Sequence, residues 1–252
     1  MTADRHLDWD GCYNARDLGG LRTADGRTTR WGAVVRSDAP DRLTPAGWSA
    51  LKAHGIRTII DLRNDDERHA NAIPPAAELA TVHVPLDDPA DIEFWQHWRD
   101  SGLWGTPLYY RPFLDRKPQR CAVTVAAVAR AQPGGVLVHC GGGRDRTGLI
   151  ALLLLALVGV APDDIAADYE LSIDRLRLFY AQAGREDASI KINELLAREN
   201  TSARAAILAT LASLEVDAYL RTGGLSDGDL AAVRARLLAP EEPEHAPAPT
   251  AR

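Results

Sequence analysis

Residues 136–148 read VLVHCGGGRDRTG. The three apolar residues at the start of this stretch predict a short buried strand, which runs through His139 and Cys140 into three glycines. The residues after Gly148 are almost all apolar and predict a buried helix. The pattern therefore indicates a strand, a tight glycine loop and a helix that begins near Thr147.

The three glycines give this loop a backbone that can bind an anion. Glycine adopts positive φ angles at little cost, so the N–H groups of the loop can turn inward. The positive end of the following helix is directed to the same place. The sequence therefore predicts a cup for a tetrahedral oxyanion, lined by the amides of Gly141, Gly142 and Gly143.

Cys140 ends the predicted strand and faces the predicted cup. The helix N-terminus and the neighbouring arginines favour its thiolate over its thiol, so the sulfur would be a nucleophile beneath a bound phosphate. Arg146 follows six residues later and can fold back over the mouth, because its planar guanidinium matches two phosphate oxygens. A lone cysteine at a strand end is more often a structural thiol, but the surrounding glycines and arginines favour catalysis here.

The Cys-x5-Arg spacing, with His139 before it and Thr147 after it, resembles the cysteine-dependent protein tyrosine phosphatase superfamily. The loop HCGGGRDRTG is similar to that of the bacterial tyrosine phosphatases, and NARDLGGL at 14–21 and RSDAPDRLT at 36–44 resemble their N-terminal signature. This resemblance implies a metal-independent and cofactor-independent hydrolase of phosphomonoesters that forms a phosphocysteine intermediate. Phosphotyrosine in proteins is the implied substrate, with phosphoinositide headgroups as further substrates.

The resemblance also implies roles for the residues around the nucleophile. His139 would orient it, and Thr147 would donate its hydroxyl to the departing thiolate. Lipid-active members carry Lys at the position of Arg144, so this second cation suggests substrates with more than one phosphate, and a surface salt bridge is the alternative. The phosphate would be bound by Gly141, Gly142, Gly143, Arg144, Asp145 and Arg146.

Two carboxylic acids are candidates for the general acid that protonates the leaving oxygen. Asp145 lies inside the loop, where some phosphoinositide phosphatases use a similar aspartate. Asp88, or its neighbour Asp87, follows the strand predicted over 81–86, where the mobile-loop acid of many superfamily members lies. A helix cap is the alternative role for Asp88, and both Asp145 and Asp88 remain candidates.

Helices alternate with buried strands ahead of the glycine loop. The Thr-Pro pair at 44–45 predicts a helix start, and residues 57–62 and 81–86 predict strands. This alternation predicts an α/β fold in which helices flank a mostly parallel central sheet, and ligands bind at the carboxyl ends of its strands. Asp61 and Arg63 lie at such an end, where we expect a structural ion pair.

The remaining segments predict one phosphatase domain over residues 1–238. Residues 92–118 are rich in aromatic side chains without a strand pattern, which indicates a helical lid insertion over about 89–117 or, alternatively, a satellite core. Residues 174–238 predict a helical C-terminal extension, and the Pro-rich, polar residues 239–252 predict a disordered tail. For Asn14, Arg16 and Asp17 we expect a structural role in the N-terminal hairpin.

The composition limits the partners and the compartment. The chain has 252 residues, 46% of them hydrophobic, and a net charge of −6, which argues against a nucleic-acid partner. It shows no signal peptide and no apolar run long enough to span a bilayer, so we expect a cytoplasmic protein without integral membrane contact. Cys12, Cys121 and Cys140 are too few for a disulfide framework or a zinc site, which suits a reducing compartment.

Other functions are less consistent with the loop. A sulfurtransferase also closes a cysteine loop with Arg, but usually with a shorter spacing and without the Thr-Gly helix start. Inositol polyphosphate hydrolysis by enzymes with a similar loop is the nearest alternative. A non-catalytic phosphate-binding module would lack a key loop residue, and none is missing. The thiolate also predicts inactivation by peroxide through a sulfenic acid on Cys140, which Cys12 or Cys121 would rescue only if close enough for a disulfide.

Overall fold

A single five-stranded sheet organises the fold. The computed structural model describes residues 4–68, 78–182, 184 and 186–239. Its strands are β1 (Arg16–Asp17), β2 (Val34–Ser37), β3 (Ile56–Asp61), β4 (Ala80–His83) and β5 (Gly135–His139). The strand order is β1-β2-β5-β3-β4, and every neighbouring pair is parallel except β1 with β2. The predicted α/β fold with a mostly parallel sheet is therefore confirmed.

Helices cover the sheet. They are α1 (Pro45–Ala53), α2 (Ile92–Asp100), α3 (Tyr110–Arg116), α4 (Pro118–Arg130), α5 (Asp145–Leu157), α6 (Pro162–Gln182), α7 (Ala188–Arg198), α8 (Ala203–Ala212), α9 (Val216–Thr222) and α10 (Asp227–Leu237). The helix start predicted at 44–45 is confirmed, because the Thr44 side chain accepts a hydrogen bond from the Gly47 amide at 3.2 Å. In the part of the chain that the structure describes, no helix has both the length and the apolar character needed to cross a bilayer.

Helix α5 lies in the middle of the main core. Its leucines at 149, 153 and 155 are fully buried, and the helix is apolar on nearly every side. It begins at Asp145, two residues before the start predicted from the sequence. Truncating such a buried leucine to alanine costs about 2–5 kcal/mol, so core packing fixes the helix end that carries the glycine loop.

The aromatic stretch packs into the same core. Six of its aromatic side chains are buried there in mostly edge-to-face contacts: Phe94, Trp95, Trp98, Tyr109, Tyr110 and Phe113. Trp104 is 61% exposed. The buried rings agree with the core alternative more closely than with the lid, and movement of 89–117 stays a prediction.

The C-terminal helices pack onto the sheet-covering helices. α10 contacts α4, α8 contacts α6, and α9 contacts both α4 and α5. The segment predicted to be a helical extension is therefore helical and adds its own buried residues to the main core. The predicted tail lies outside the described residues, apart from Ala239.

Candidate active site

The glycine loop joins the carboxyl end of β5 to the start of α5, and its carbonyl groups are held from outside. The carbonyl of Gly141 accepts a hydrogen bond from the Ala39 amide at 2.9 Å. The carbonyl of Gly142 accepts one from Asn14 Nδ2 at 2.9 Å. Because a trans peptide points its N–H away from its C=O, the N–H groups of the next residues face inward. These contacts support the predicted cup, which stays a prediction.

Gly143 is the glycine on which this loop shape depends. Its φ is 69°, in the left-handed region that side chains disfavour. A Cβ at Gly143 would lie 2.3 Å from the Ser37 carbonyl carbon, whereas a Cβ at Gly141 would meet no described atom within 4 Å. The close approach of Gly143 to the end of β2 therefore needs glycine, and Gly141 lies on the open side of the cup.

A buried ion cluster supports the loop from behind. The carboxylate of Asp168 on α6 pairs with Arg5 at 2.8 Å, Arg16 at 3.1 Å and Arg36 at 2.6 Å. Burial alone would raise the pKa of Asp168, but these three guanidinium groups hold it well below its usual range. Arg36 Nη2 also donates to the carbonyl of Gly143 at 2.8 Å. The cluster thereby connects α6 and the N-terminal segment to the glycine loop, which we also call the phosphate loop below.

The expected structural roles in the N-terminal hairpin are confirmed. Arg16 Nη1 donates to Asn14 Oδ1 at 2.6 Å, which orients the amide that holds the loop. Asp17 accepts hydrogen bonds from the amides of Gly19 and Gly32, both at 2.8 Å. Sequence reasoning missed that Asn14 contacts the loop itself, because the residues are far apart in the chain.

Cys140 lies at the floor of the cup and is 3% exposed. His139 Nδ1 lies 3.1 Å from the Cys140 carbonyl oxygen, and its Nε2 lies 3.8 Å from Asp61 Oδ1. Burial lowers the pKa of His139, so the ring is neutral at neutral pH and suits an orienting role. The Thr147 hydroxyl is buried and has no hydrogen-bond partner among the described residues.

Two carboxylates hold Arg146. Its guanidinium forms a bidentate pair with Glu67, with Nη2 to Oε1 at 2.5 Å, and Nη1 lies 3.3 Å from Asp87 Oδ2. Glu67 follows β3 in a short 3-10 helix and also accepts a hydrogen bond from the Asn64 amide. Sequence reasoning missed Glu67. The sequence feature that could have indicated Glu67 is the acidic run at 65–67. It lies just beyond the carboxyl end of the strand predicted over 57–62, and parallel sheets bind ligands at that end.

The carboxylates of Asp87 and Asp88 point to different partners. Asp88 pairs with Lys117 Nζ and Arg120 Nη2, both at 3.1 Å, and the hydrogen bond from Lys117 holds its pKa below the usual value. Asp87 instead reaches Arg146. Of the two neighbours that the sequence offered, Asp87 is therefore the one that contacts Arg146, and the identity of the general acid stays a prediction.

The environment of Asp87 is that of a carboxyl group that holds its proton. Burial, opposed by Arg146 and assisted by the nearby Glu67 and Asp145 carboxylates, raises the pKa of Asp87 to about 6. A carboxylic acid that stays partly protonated near neutral pH is suited to general acid catalysis. Geometry and charge thus bring Asp87 to the loop together with Asp145.

Arg144 is paired inside the loop. Its Nε and Nη2 lie 3.1 and 3.2 Å from the two carboxylate oxygens of Asp145, and Nη2 also donates to the Gly105 carbonyl at 3.3 Å. The side chain of Arg144 is 8% exposed and that of Asp145 is 27% exposed, so the pair is a partly buried salt bridge, whereas the alternative that the sequence left open was a surface one. Tyr110 donates to the Asp145 carbonyl at 2.6 Å and so fixes the first turn of α5.

The ion pair expected between Asp61 and Arg63 is confirmed. Arg63 Nε and Nη2 donate to the two oxygens of Asp61 at 3.0 and 2.9 Å. Arg63 also pairs with Asp41. These contacts join the carboxyl end of β3 to the segment after β2, next to the loop.

The three cysteines are free thiols. Cys12 donates to Asp38 Oδ1 at 2.8 Å, and burial raises its pKa well above the usual value. Burial raises the pKa of Cys121 to about 12. Neither thiol is activated for disulfide exchange, which argues against rapid rescue of an oxidised Cys140.

Comparisons with known proteins agree with this geometry. A model of the tyrosine phosphatase family matches residues 7–239. A Cupriavidus necator protein named as a tyrosine-protein phosphatase is 32% identical over 247 residues, which cover 93% of this chain and 89% of that protein. The triple specificity protein phosphatase PtpB of Mycobacterium tuberculosis is 31% identical over 65% of this chain and 68% of its own length. A tyrosine-protein phosphatase of Nostoc commune is 27% identical over 81% of this chain and 74% of its own.

Proposed function

Because the chain belongs to the tyrosine phosphatase family and is a protein-tyrosine phosphatase, we propose that it hydrolyses phosphotyrosine through a phosphocysteine formed on Cys140. The observation that carries this proposal is that three successive loop carbonyls, of Gly141, Gly142 and Gly143, accept hydrogen bonds from donors outside the loop, which leaves the loop amides to form a cup beside the cysteine. Such a cup binds the equatorial oxygens of a phosphoryl group as an oxyanion hole binds an acyl intermediate.

In the first step, the Cys140 thiolate attacks phosphorus in line with the leaving oxygen. A sulfur–phosphorus bond forms, the phosphorus–oxygen bond to the phenol breaks, and Asp87 gives its proton to the phenolate oxygen. Arg146 binds two equatorial oxygens, and its contacts with Glu67 and Asp87 hold the guanidinium at the rim before substrate arrives.

In the second step, water attacks phosphorus and releases inorganic phosphate. The Asp87 carboxylate takes a proton from the water, the sulfur–phosphorus bond breaks, and the thiolate of Cys140 returns. The unpartnered hydroxyl of Thr147, in the first turn of α5, donates a hydrogen bond to the departing sulfur. Asp145 is the second candidate for the acid, since its carboxylate lies inside the loop.

The pairing of Arg144 bears on the substrate class. Its guanidinium is paired with Asp145, so a second phosphate would have to displace that carboxylate to reach it. This favours phosphotyrosine over inositol polyphosphates. Phosphoinositides stay in the proposal as slower substrates, on the resemblance of the loop sequence alone.

The test compares the wild type with Cys140→Ser on a phosphotyrosine peptide and on para-nitrophenyl phosphate, in the presence of a chelator. We expect steady turnover by the wild type, unaffected by the chelator, and loss of about a thousandfold or more in the variant. Rapid quenching should trap a phosphorylated wild-type protein. Turnover of phosphoserine peptides alone, or full activity of Cys140→Ser, would contradict the proposal.

A further inference from the structure

A second cleft lies at the end of the sheet opposite to the phosphate loop. Its volume is about 660 Å³, and it is lined by Gly32, Gly55 and Gly135, where β2, β3 and β5 begin. Cys140 follows the other end of β5, and a five-residue strand is about 16 Å long. We call this feature the back cleft. It is spatially separate from the phosphatase site.

The back cleft has walls of bare backbone. A Cβ at Gly135 would lie 2.6 Å from the Gly32 carbonyl oxygen, so a side chain cannot fill this space. Gly134 beside it has a φ of 114°, which also needs glycine. The alanines of α10 that face the glycines, at 232 and 235, leave the cleft open between the helix and the sheet.

Two arginines without a carboxylate partner line the back cleft. Arg236 on α10 donates to the carbonyls of Gly134 and Ala131, and its Nε is buried with no partner among the described residues. The Arg30 side chain has neither an ion pair nor a hydrogen bond within the described ranges. Burial lowers the pKa of Arg236, and the charge of Arg30 lowers it further, which shows that the two cations repel each other. An anion between them would relieve this repulsion.

The side chain of Trp31 contacts Gly20, and Trp31 lines the same cleft as these cations. Trp31 lines the back cleft and is 46% exposed, which is unusual for so large an apolar side chain. A Cβ at Gly20 would lie 2.5 Å from Trp31 Cζ2, so only a glycine at this position allows the backbone to lie directly against the indole ring. A ring held in this way stacks on a planar group with little further loss of conformational entropy.

We infer that the back cleft binds a small organic anion with a planar ring. The anionic group would lie between Arg30 and Arg236, and the ring would stack on Trp31. The volume is in the range of small-molecule sites. Adenosine 5′-monophosphate combines a ring with a phosphate and serves as the probe. The inference does not rest on the phosphatase reaction.

The experiment follows the indole N–H signal of Trp31 by NMR during titration with the probe. The protein carries Cys140→Ser so that turnover does not consume the probe, and Trp31→Phe identifies the signal among the six tryptophans. We expect a saturable shift of this signal. Adenosine and inorganic phosphate, each with half of the recognised features, should bind about tenfold more weakly than the probe.

The variants separate this cleft from the phosphate loop. Arg30→Gln should weaken binding about tenfold without loss of fold, because Arg30 is exposed and its side chain forms no ion pair or hydrogen bond within the described ranges. Arg22→Gln, an exposed cation on the same hairpin, is the matched control and should bind as the parent does. Adding Arg146→Met should leave the Trp31 shift intact.

Three results from the Trp31 signal and the variants would overturn the inference, and a fourth comes from the comparison of ligands. The three are an unmoved Trp31 signal at millimolar probe, equal affinity in Arg30→Gln, and loss of the shift on adding Arg146→Met, which would assign the binding to the phosphate loop. Inorganic phosphate binding as tightly as the nucleotide would remove the role of the indole and would also contradict the inference.

Discussion

Asp87 is the single residue whose environment carries most information about the chemistry. Its half-buried side chain lies 3.3 Å from Arg146, and burial together with the Glu67 and Asp145 carboxylates raises its pKa to about 6. If it is the general acid, turnover of substrates with poor leaving groups should fall as pH rises through about 6, because the proton is then lost. Asp87→Asn should remove this limb of the kcat profile and slow aryl phosphates with a high leaving-group pKa by about 10²–10⁴-fold.

Asp88→Asn is the matched control for this prediction. It removes an adjacent carboxylate that pairs with Lys117 and Arg120, so it should keep the pH limb and most of the rate. Asp145→Asn distinguishes the second candidate acid. Should Asp145→Asn alone abolish the limb while Asp87→Asn keeps it, the acid would be Asp145.

The sequence predicted those site residues that act within one local motif. Cys140, Arg146 and the three glycines lie in one short stretch, where spacing alone fixes their relation. Glu67 and the choice between Asp87 and Asp88 could not be predicted in this way. They depend on which side of the chain faces Arg146 once β3 and β4 are side by side, and neighbouring residues of a loop can point to either side.

At the scale of the element, the loop between β5 and α5 is shaped by close backbone contact. Gly143 adopts a φ of 69° against the Ser37 carbonyl. Gly143→Ala should therefore destabilise the protein by about 3 kcal/mol, from backbone strain and overpacking, and should abolish turnover. Gly141→Ala, which meets no described atom, should keep the wild-type melting temperature. Thermal unfolding of both variants checks this, and equal melting temperatures would contradict it.

The elements themselves were predicted more accurately than their ends. The helix start at 44–45 carries a Thr cap and a Pro, and the structure confirms it. β4 ends at His83, although alternation continues to Leu86 in the sequence, because pairing with β3 stops at Asp61. The aromatic stretch was ambiguous for the same reason: helical spacing shows which residues share a face, and only tertiary packing shows what covers that face.

At the scale of the whole molecule, Asp168 connects three parts of the chain. It binds Arg5 and Arg16 from the N-terminal segment and Arg36 from β2, while lying on α6. Asp168→Asn should lower the free energy of unfolding by about 3–5 kcal/mol, since it leaves buried guanidinium groups uncompensated. Asp163 lies on the same helix as Asp168 and forms an exposed ion pair with Arg204 of α8. Asp163→Asn should therefore lower the free energy of unfolding by less than about 1 kcal/mol.

The contribution of Asp168 to the free energy of unfolding should decrease as the pH is lowered. The pKa of Asp168 is lowered in the folded state, so its contribution is fully present above the unfolded value of about 3.9 and is lost as pH falls toward the folded value. Urea unfolding at pH 7 should therefore separate wild type from Asp168→Asn more widely than unfolding at pH 3. A constant difference between the two pH values would contradict this role.

The phosphate loop is held by donors that precede it by 107 positions for Arg36 and 128 for Asn14. During synthesis the ribosome releases these donors long before it releases the acceptors. Asn14 and Arg36 can therefore make these hydrogen bonds only after the loop has been synthesised. A fragment that lacks them would contain Cys140 but not the hydrogen bonds that shape the loop around it. The catalytic loop is in this sense shaped by residues from an early and a middle part of the chain.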